Sequence, residues 1–126
     1  MKELMNITKA LADENRVRTL MALRGGELCV CQITALFGVA PSTMSKHLSV
    51  LYQAGLVESR KEGRWIYYKL AENGNGNGTA AGREAIRWVE RAAKDDPRVE
   101  EDGRKLKKIL KMDPVELCRK QCAAKC

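Results

Sequence analysis

Cys29 and Cys31 stand one residue apart in the stretch ELCVCQI, and Cys118, Cys122 and Cys126 recur at every fourth position near the other end. Thiols at such spacings hold soft metals or metalloids, exchange disulfides, or fill a core. Five cysteines cannot pair off completely. Lys2, Glu3, Lys9, Asp13 and Glu14 interrupt the early apolar positions, which excludes a signal peptide or membrane span there. The chain is therefore expected in the reducing cytoplasm with no membrane partner, where metal, metalloid or redox chemistry outranks a disulfide framework.

The spacing constrains what each group can do. A helix is expected over residues 27–37, which puts Cys29 and Cys31 in or near its first turn, where unpaired N–H groups generally favour thiolates. Side chains two positions apart on a helix diverge by about 200°, so gripping a single atom requires that turn to distort. The alternative is a pair of buried structural thiols. Cys118, Cys122 and Cys126 share one face of a helix but span about 12 Å of its axis, too far for one ion to hold all three. With His47 the single histidine and no carboxylates clustered at ligand spacing, a zinc site is disfavoured.

The elements that position these groups follow from periodicity. Residues 3–24 carry two apolar sets, Leu4, Ile7 and Leu11, then Val17, Leu20, Met21 and Leu23, which predict two helices broken at ADEN with Asp13 capping the second. Gly25 and Gly26 stop it. The third helix turns Leu28, Ile33, Leu36 and Phe37 inward, and GVAPS leads into a fourth over 41–54, with Pro41 in a first-turn position. In that fourth helix Met44, Leu48 and Leu51 form the core face, while Ser42, Ser45, Lys46, Ser49 and Gln53 lie opposite. Short hydrogen-bonding groups with one cation suit a DNA groove, or an ordinary solvated face.

Residues 56–70, LVESRKEGRWIYYKL, read as a β-hairpin with KEGR at its turn. Its tip carries Arg60, Lys61 and Arg64 against Glu62, either for solubility or for phosphates. Helix, turn, helix and basic hairpin, in that order, make a mainly α protein with a small β-hairpin wing, a winged helix-turn-helix. A net charge of +7 favours an anionic partner. The groove contacts are then Ser42, Thr43, Ser45, Lys46 and Ser49, with His47 packing or touching phosphate and the wing cations holding flanking phosphates. NGNGNG at 73–78 is a linker, residues 80–94 a helix whose Trp88 requires cover from the core or a dimer partner, and 98–112 and 114 onward two more helices. The division is a winged domain over 1–95 and a basic, Cys-containing helical tail over 96–126.

Catalysis is not expected. No Arg follows Cys29 or Cys118 at the distance a phosphatase-like thiol loop needs, and no Ser/His/Asp set or phosphate-cradling glycine loop occurs.

Over residues 7–70 the chain resembles the arsenic-repressor (ArsR/SmtB) family of metal- and metalloid-responsive transcriptional repressors. TKALADENRVRTLMAL is similar to the family's opening helices, ELCVCQI to its arsenic-binding motif, APSTMSKHLSVLYQAGLV to its recognition helix and RKEGRWIYYKL to its wing. The resemblance implies a homodimer built partly through 82–94 and bound to an inverted-repeat operator in double-stranded DNA. It also implies arsenic-resistance genes as the target and trivalent arsenic or antimony, held by Cys29 and Cys31, as the inducer. Ligand at the third helix is then expected to re-aim the recognition helix through Ile33, Leu36 and Phe37. One departure stands out: where arsenic-responsive members often carry a third cysteine, this chain has Thr34, a poor ligand for a soft ion. The tail thiols Cys118, Cys122 and Cys126 either donate the missing sulfur, form their own soft-metal site, or serve packing or redox roles. A repressor responding to cadmium, lead or zinc, or a metal-buffering protein, is the competing reading.

Overall fold

The computed structural model describes residues 1–71 and 79–125, with the side chains of the last helix described as far as Arg119. The linker at 73–78 and Cys126 lie outside the described residues. Among the described residues the elements follow in the order α1 (Lys2–Leu11), α2 (Glu14–Leu23), β1 (Leu28–Cys29), α3 (Val30–Phe37), α4 (Pro41–Gln53), β2 (Val57–Glu62), β3 (Trp65–Leu70), α5 (Ala80–Ala93), α6 (Pro97–Leu110) and α7 (Pro114–Lys125).

The break between α1 and α2 sits where cap chemistry puts it. Asp13 accepts from the backbone N–H of Asn15 at 2.8 Å and of Arg16 at 3.4 Å, satisfying donors that the first turn of α2 leaves open. The core is built from Leu20 and Leu23 of α2, Ile33 of α3, Met44, Leu48 and Leu51 of α4, and Leu56 and Val57 at the foot of the hairpin, all essentially inaccessible to water. The expected core face of α4 is thus the observed one.

The start of the third helix differs from expectation. α3 begins at Val30 rather than near residue 27, and Leu28 and Cys29 form a short strand on the outer edge of the hairpin, giving an antiparallel sheet ordered β1-β3-β2. Leu28 lies opposite Tyr68 and Cys29 opposite Tyr67. Two causes combine. Gly26, at φ 138, turns the chain out of α2 in a conformation that side-chain-bearing residues rarely adopt. A lone two-stranded hairpin is marginal and leaves an edge of unpaired backbone groups that a third strand satisfies.

α5 closes over the far end of α4 through an intimate backbone approach. A Cβ on Gly82 would lie 2.8 Å from the Gly55 carbonyl oxygen, closer than two such atoms come without backbone movement. Gly82→Ala is therefore expected to cost about 1–3 kcal/mol, read as a lower midpoint in urea unfolding. Unchanged stability would mean that α5 can slide freely on α4.

The last two helices pack on the same body: α6 lies on α2 and α3, and α7 lies on α3. Leu36, Ile109 and Leu117 are buried together at that junction. Trp88, by contrast, is 59% exposed and lines a surface hollow with exposed Leu4, so no described element of its own protomer covers it. Among the described residues no helix is long and apolar enough to cross a membrane.

Candidate functional site

The polar face of α4 points outward as its sequence demands. Ser42, Thr43, Ser45, Lys46, Ser49 and Gln53 are exposed, while His47 is half-buried. Arg16 of α2, which sequence reasoning missed, holds this helix in place. It donates from Nε to the Ala10 carbonyl and from Nη2 to that of Lys9, both at 2.9 Å, and its Nη1 lies 3.2 Å from His47 Nδ1. A guanidinium only donates, so in this contact Nδ1 of His47 is the acceptor. One side chain thereby ties the end of α1 to α4.

The wing cations divide into two kinds. Arg60 makes a bidentate pair with Glu27 at 2.7 and 2.8 Å, a further bond to Glu62 at 2.7 Å, and lies over the Tyr67 ring at 4.4 Å. Its hydrogen bonds to Glu27 and then Glu62 push its pKa further above the ordinary guanidinium range. The hydrogen bond from Arg60, with smaller coulombic help from Lys69, holds the Glu27 carboxyl below its usual value. A depressed carboxylate pKa supports the fold above the unfolded value and loses that support as pH falls through the folded one. Arg60 is therefore a strut between the hairpin and the approach to β1, its charge already met. Lys61 and Arg64 are exposed and have no ion pair among the described residues. Burial, followed by coulombic repulsion from Tyr52, raises the phenol of Tyr68 on the same sheet.

The thiols straddle a junction. Cys29 is the N-cap of α3, extended at φ −81 and ψ 157, and Gln32 accepts from its backbone N–H at 3.0 Å to close a capping box. It is 2% exposed. Cys31 lies within the first turn of α3, half-buried against the Leu36, Ile109 and Leu117 layer. The two sulfurs therefore do not share a helix, and the 200° divergence expected of them does not apply. One thiol belongs to the strand end and the other to the helix. Thr34 is buried and donates its hydroxyl to the Val30 carbonyl at 2.8 Å.

Cys118 is half-buried on α7 and lines a groove of about 460 Å³ with Arg64 and Trp65 of the wing and with Val115 and Arg119. Cys122 belongs to the same helix, but its side chain, like Cys126, lies outside the described residues. Among the described residues no three His, Cys, Asp or Glu side chains already converge at metal-ligand distance. Of the partners that sequence reading missed, Arg16 and Glu27 carry no local signal, because each meets a group more than thirty positions away, whereas Gln32 stands three residues after the N-cap, the spacing of a capping box, and could have been found from it.

The model of bacterial regulatory proteins of the arsR family matches residues 13–59. The arsenic resistance transcriptional regulator ArsR1 of Pseudomonas putida is 43% identical over 65 residues, 51% of this chain and 51% of that protein. A cadmium resistance transcriptional regulatory protein CadC homolog of Staphylococcus aureus is 38% identical over 69 residues, 54% of this chain and 57% of that one. The solution structure of a homodimeric winged helix-turn-helix DNA-binding domain from Mycobacterium bovis, a possible ArsR-family transcriptional regulator, is 30% identical. It superposes with a TM-score of 0.61 over 75% of this chain and 81% of its own. The chain spans about half the length of the curated relatives it matches.

Proposed function

The chain belongs to the arsR family of bacterial regulatory proteins, and from that premise we propose that it is a homodimeric DNA-binding repressor, released from its operator when trivalent arsenic or antimony binds its thiols. The observation that carries this reading is the position of Cys29, which at once caps α3 and pairs with Tyr67 in wing strand β3. A ligand pulling on that sulfur acts on both segments that hold DNA. In this chain the coupling runs through β1 to the wing as well as through α3 to α4.

Trivalent arsenic takes three sulfurs in a pyramid, and the Thr34 hydroxyl is committed to Val30. The third thiolate then comes from α7, where Cys118 is the donor on a helix packed against α3. Condensation of arsenous acid with three thiols releases three waters and changes no oxidation state. Because these groups do not converge beforehand, binding has to draw α7 and the strand–helix junction together. Ligand and DNA must weaken one another by the same factor, and about 1.4 kcal/mol of differential affinity displaces the operator tenfold.

The exposed Leu4, Met5 and Trp88 support α1 and α5 as the faces covered by a second protomer. The regulated genes, on this reading, confer arsenical resistance, and the operator is an inverted repeat matching the two-fold of the dimer. Similarity to the cadmium-resistance regulator favours a second reading, in which cadmium is the inducer at the same thiols.

The DNA-binding part has its own test. Replacing Lys61 or Arg64 by Ala should weaken all duplexes alike and lower the magnitude of the slope of log affinity on log salt by about 0.9 for each phosphate no longer neutralised. Ser45→Ala should instead change base preference. The opposite assignment of effects in a binding titration would exchange the roles of helix and wing.

A further inference from the structure

One surface of the C-terminal helices is unused by the repressor reading. α6 buries Val99, Asp102 and Ile109, and at about 100° per residue Arg104, Lys107, Lys108 and Lys111 fall within an arc of about 100° on the opposite side. All four are exposed, and none has an ion-pair partner among the described residues. Glu100 and Glu101 stand one turn before Arg104, but Lys107, Lys108 and Lys111 have no carboxylate three or four positions away. Like charges a turn apart repel. Glu100 and Glu101 thus offset the N-terminal end of this face near Arg104, and its C-terminal part, Lys107, Lys108 and Lys111, is left without a counter-charge a turn away.

The C-terminal end of the stripe approaches the wing through the start of α7. Arg64 and Arg119 line one groove together with Val115, and Arg119 faces only Glu116 among the described residues, at 3.9 Å in solvent. Lys111 precedes Val115 by four residues, so the two are at most about 14 Å apart. Lys111, at the C-terminal end of the stripe, therefore lies within about 14 Å of a residue that shares a groove with Arg64 and Arg119.

We propose that this stripe holds the sugar-phosphate backbone of double-stranded DNA outside the half-site, extending the footprint of each protomer beyond the wing. The proposal rests on the DNA-binding reading and adds a second surface to it. The groups held are phosphates, so the stripe adds affinity and salt dependence without base preference.

The test uses the full chain and a duplex selected by it from random sequence, prepared either trimmed to the inverted repeat or with about ten arbitrary base pairs on each flank. Fluorescence anisotropy of the wild type should show tighter binding to the long duplex. The variant combining Arg104→Gln, Lys107→Gln, Lys108→Gln and Lys111→Gln keeps helix propensity. It should bind the long duplex about tenfold more weakly, with a shallower salt slope, and the trimmed one as wild type does. Equal affinity of both proteins for the long duplex overturns the proposal, and so does an equal loss on both lengths, which would indicate a bulk charge effect. A wild type that selects no sequence defeats the repressor reading itself, whereas selective binding indifferent to flank length defeats only the stripe.

Discussion

Arsenite titrated into a complex of the Cys29→Ser, Cys31→Ser variant with operator DNA should release none of the duplex, at concentrations where the native protein loses tenfold or more in affinity. The variant isolates chemistry from folding for a structural reason. Cys29 occupies an N-cap, a position where serine is among the preferred residues, so α3 keeps its start and Gln32 its bond to the backbone N–H of residue 29. Cys31 is only half-buried, and exchange of its sulfur for oxygen leaves the Leu36, Ile109 and Leu117 layer in place. Operator affinity without arsenite should therefore stay within about twofold, less than about 0.5 kcal/mol. A hydroxyl does not replace a thiolate toward a soft ion, so the response disappears while binding persists. Cys118→Ser should behave differently, raising the arsenite needed by tenfold or more without abolishing release, because two sulfurs remain. Cadmium at equal concentration separates the two inducer readings, since a larger release by cadmium than by arsenite would favour the second. Undiminished release from the double variant would sink the thiol site.

What could be read along the chain and what could not differ in the range of the interactions concerned. The break at Asp13 and the inward face of Met44, Leu48 and Leu51 were legible because a cap reaches two or three residues and a helical face repeats within seven. The wing turn was legible for the same reason. The strand at Leu28 and Cys29 was not: two residues have no periodicity, and only the open edge of β3 makes them a strand. That single difference moved the thiols from one helix turn to a strand–helix junction. Arg60 reads as a phosphate-binding group because it sits in a basic run, but its partner Glu27 lies 33 positions earlier and leaves no trace in that run. The solvent face of α4 was readable as polar, while the bracing of His47 by Arg16 required knowing that α1, α2 and α4 meet.

The longest such link predicts the largest loss of stability. Arg18 of α2 meets Asp102 of α6 in a bidentate pair, Nε to Oδ2 at 2.8 Å and Nη2 to Oδ1 at 2.7 Å, across 84 positions of sequence. The guanidinium also lies 4.8 Å from the centre of the Phe37 ring and donates to Asn15 at 3.1 Å, and its hydrogen bond to Asp102 raises its pKa above the ordinary value. The Asp102 side chain is 9% exposed and that of Arg18 23%. Removing one partner strands the other, so Arg18→Met should cost about 2–4 kcal/mol, the lower part of the range for broken buried pairs because Arg18 keeps some access to water. For a chain of this length that is a fall of roughly 8–15 °C in melting temperature. Asp102→Leu should cost less, since the orphaned guanidinium retains Phe37, Asn15 and solvent. The double variant should lose less than the sum of the singles, because neither charge is then left behind. Functionally, α6 carries α7 and with it Cys118, so Arg18→Met should reproduce the raised arsenite requirement of Cys118→Ser although it touches no thiol. If both singles melt within about 4 °C of the native protein, near 1 kcal/mol, then α6 is held by Val99 and Ile109 alone, and the ion pair contributes orientation rather than stability.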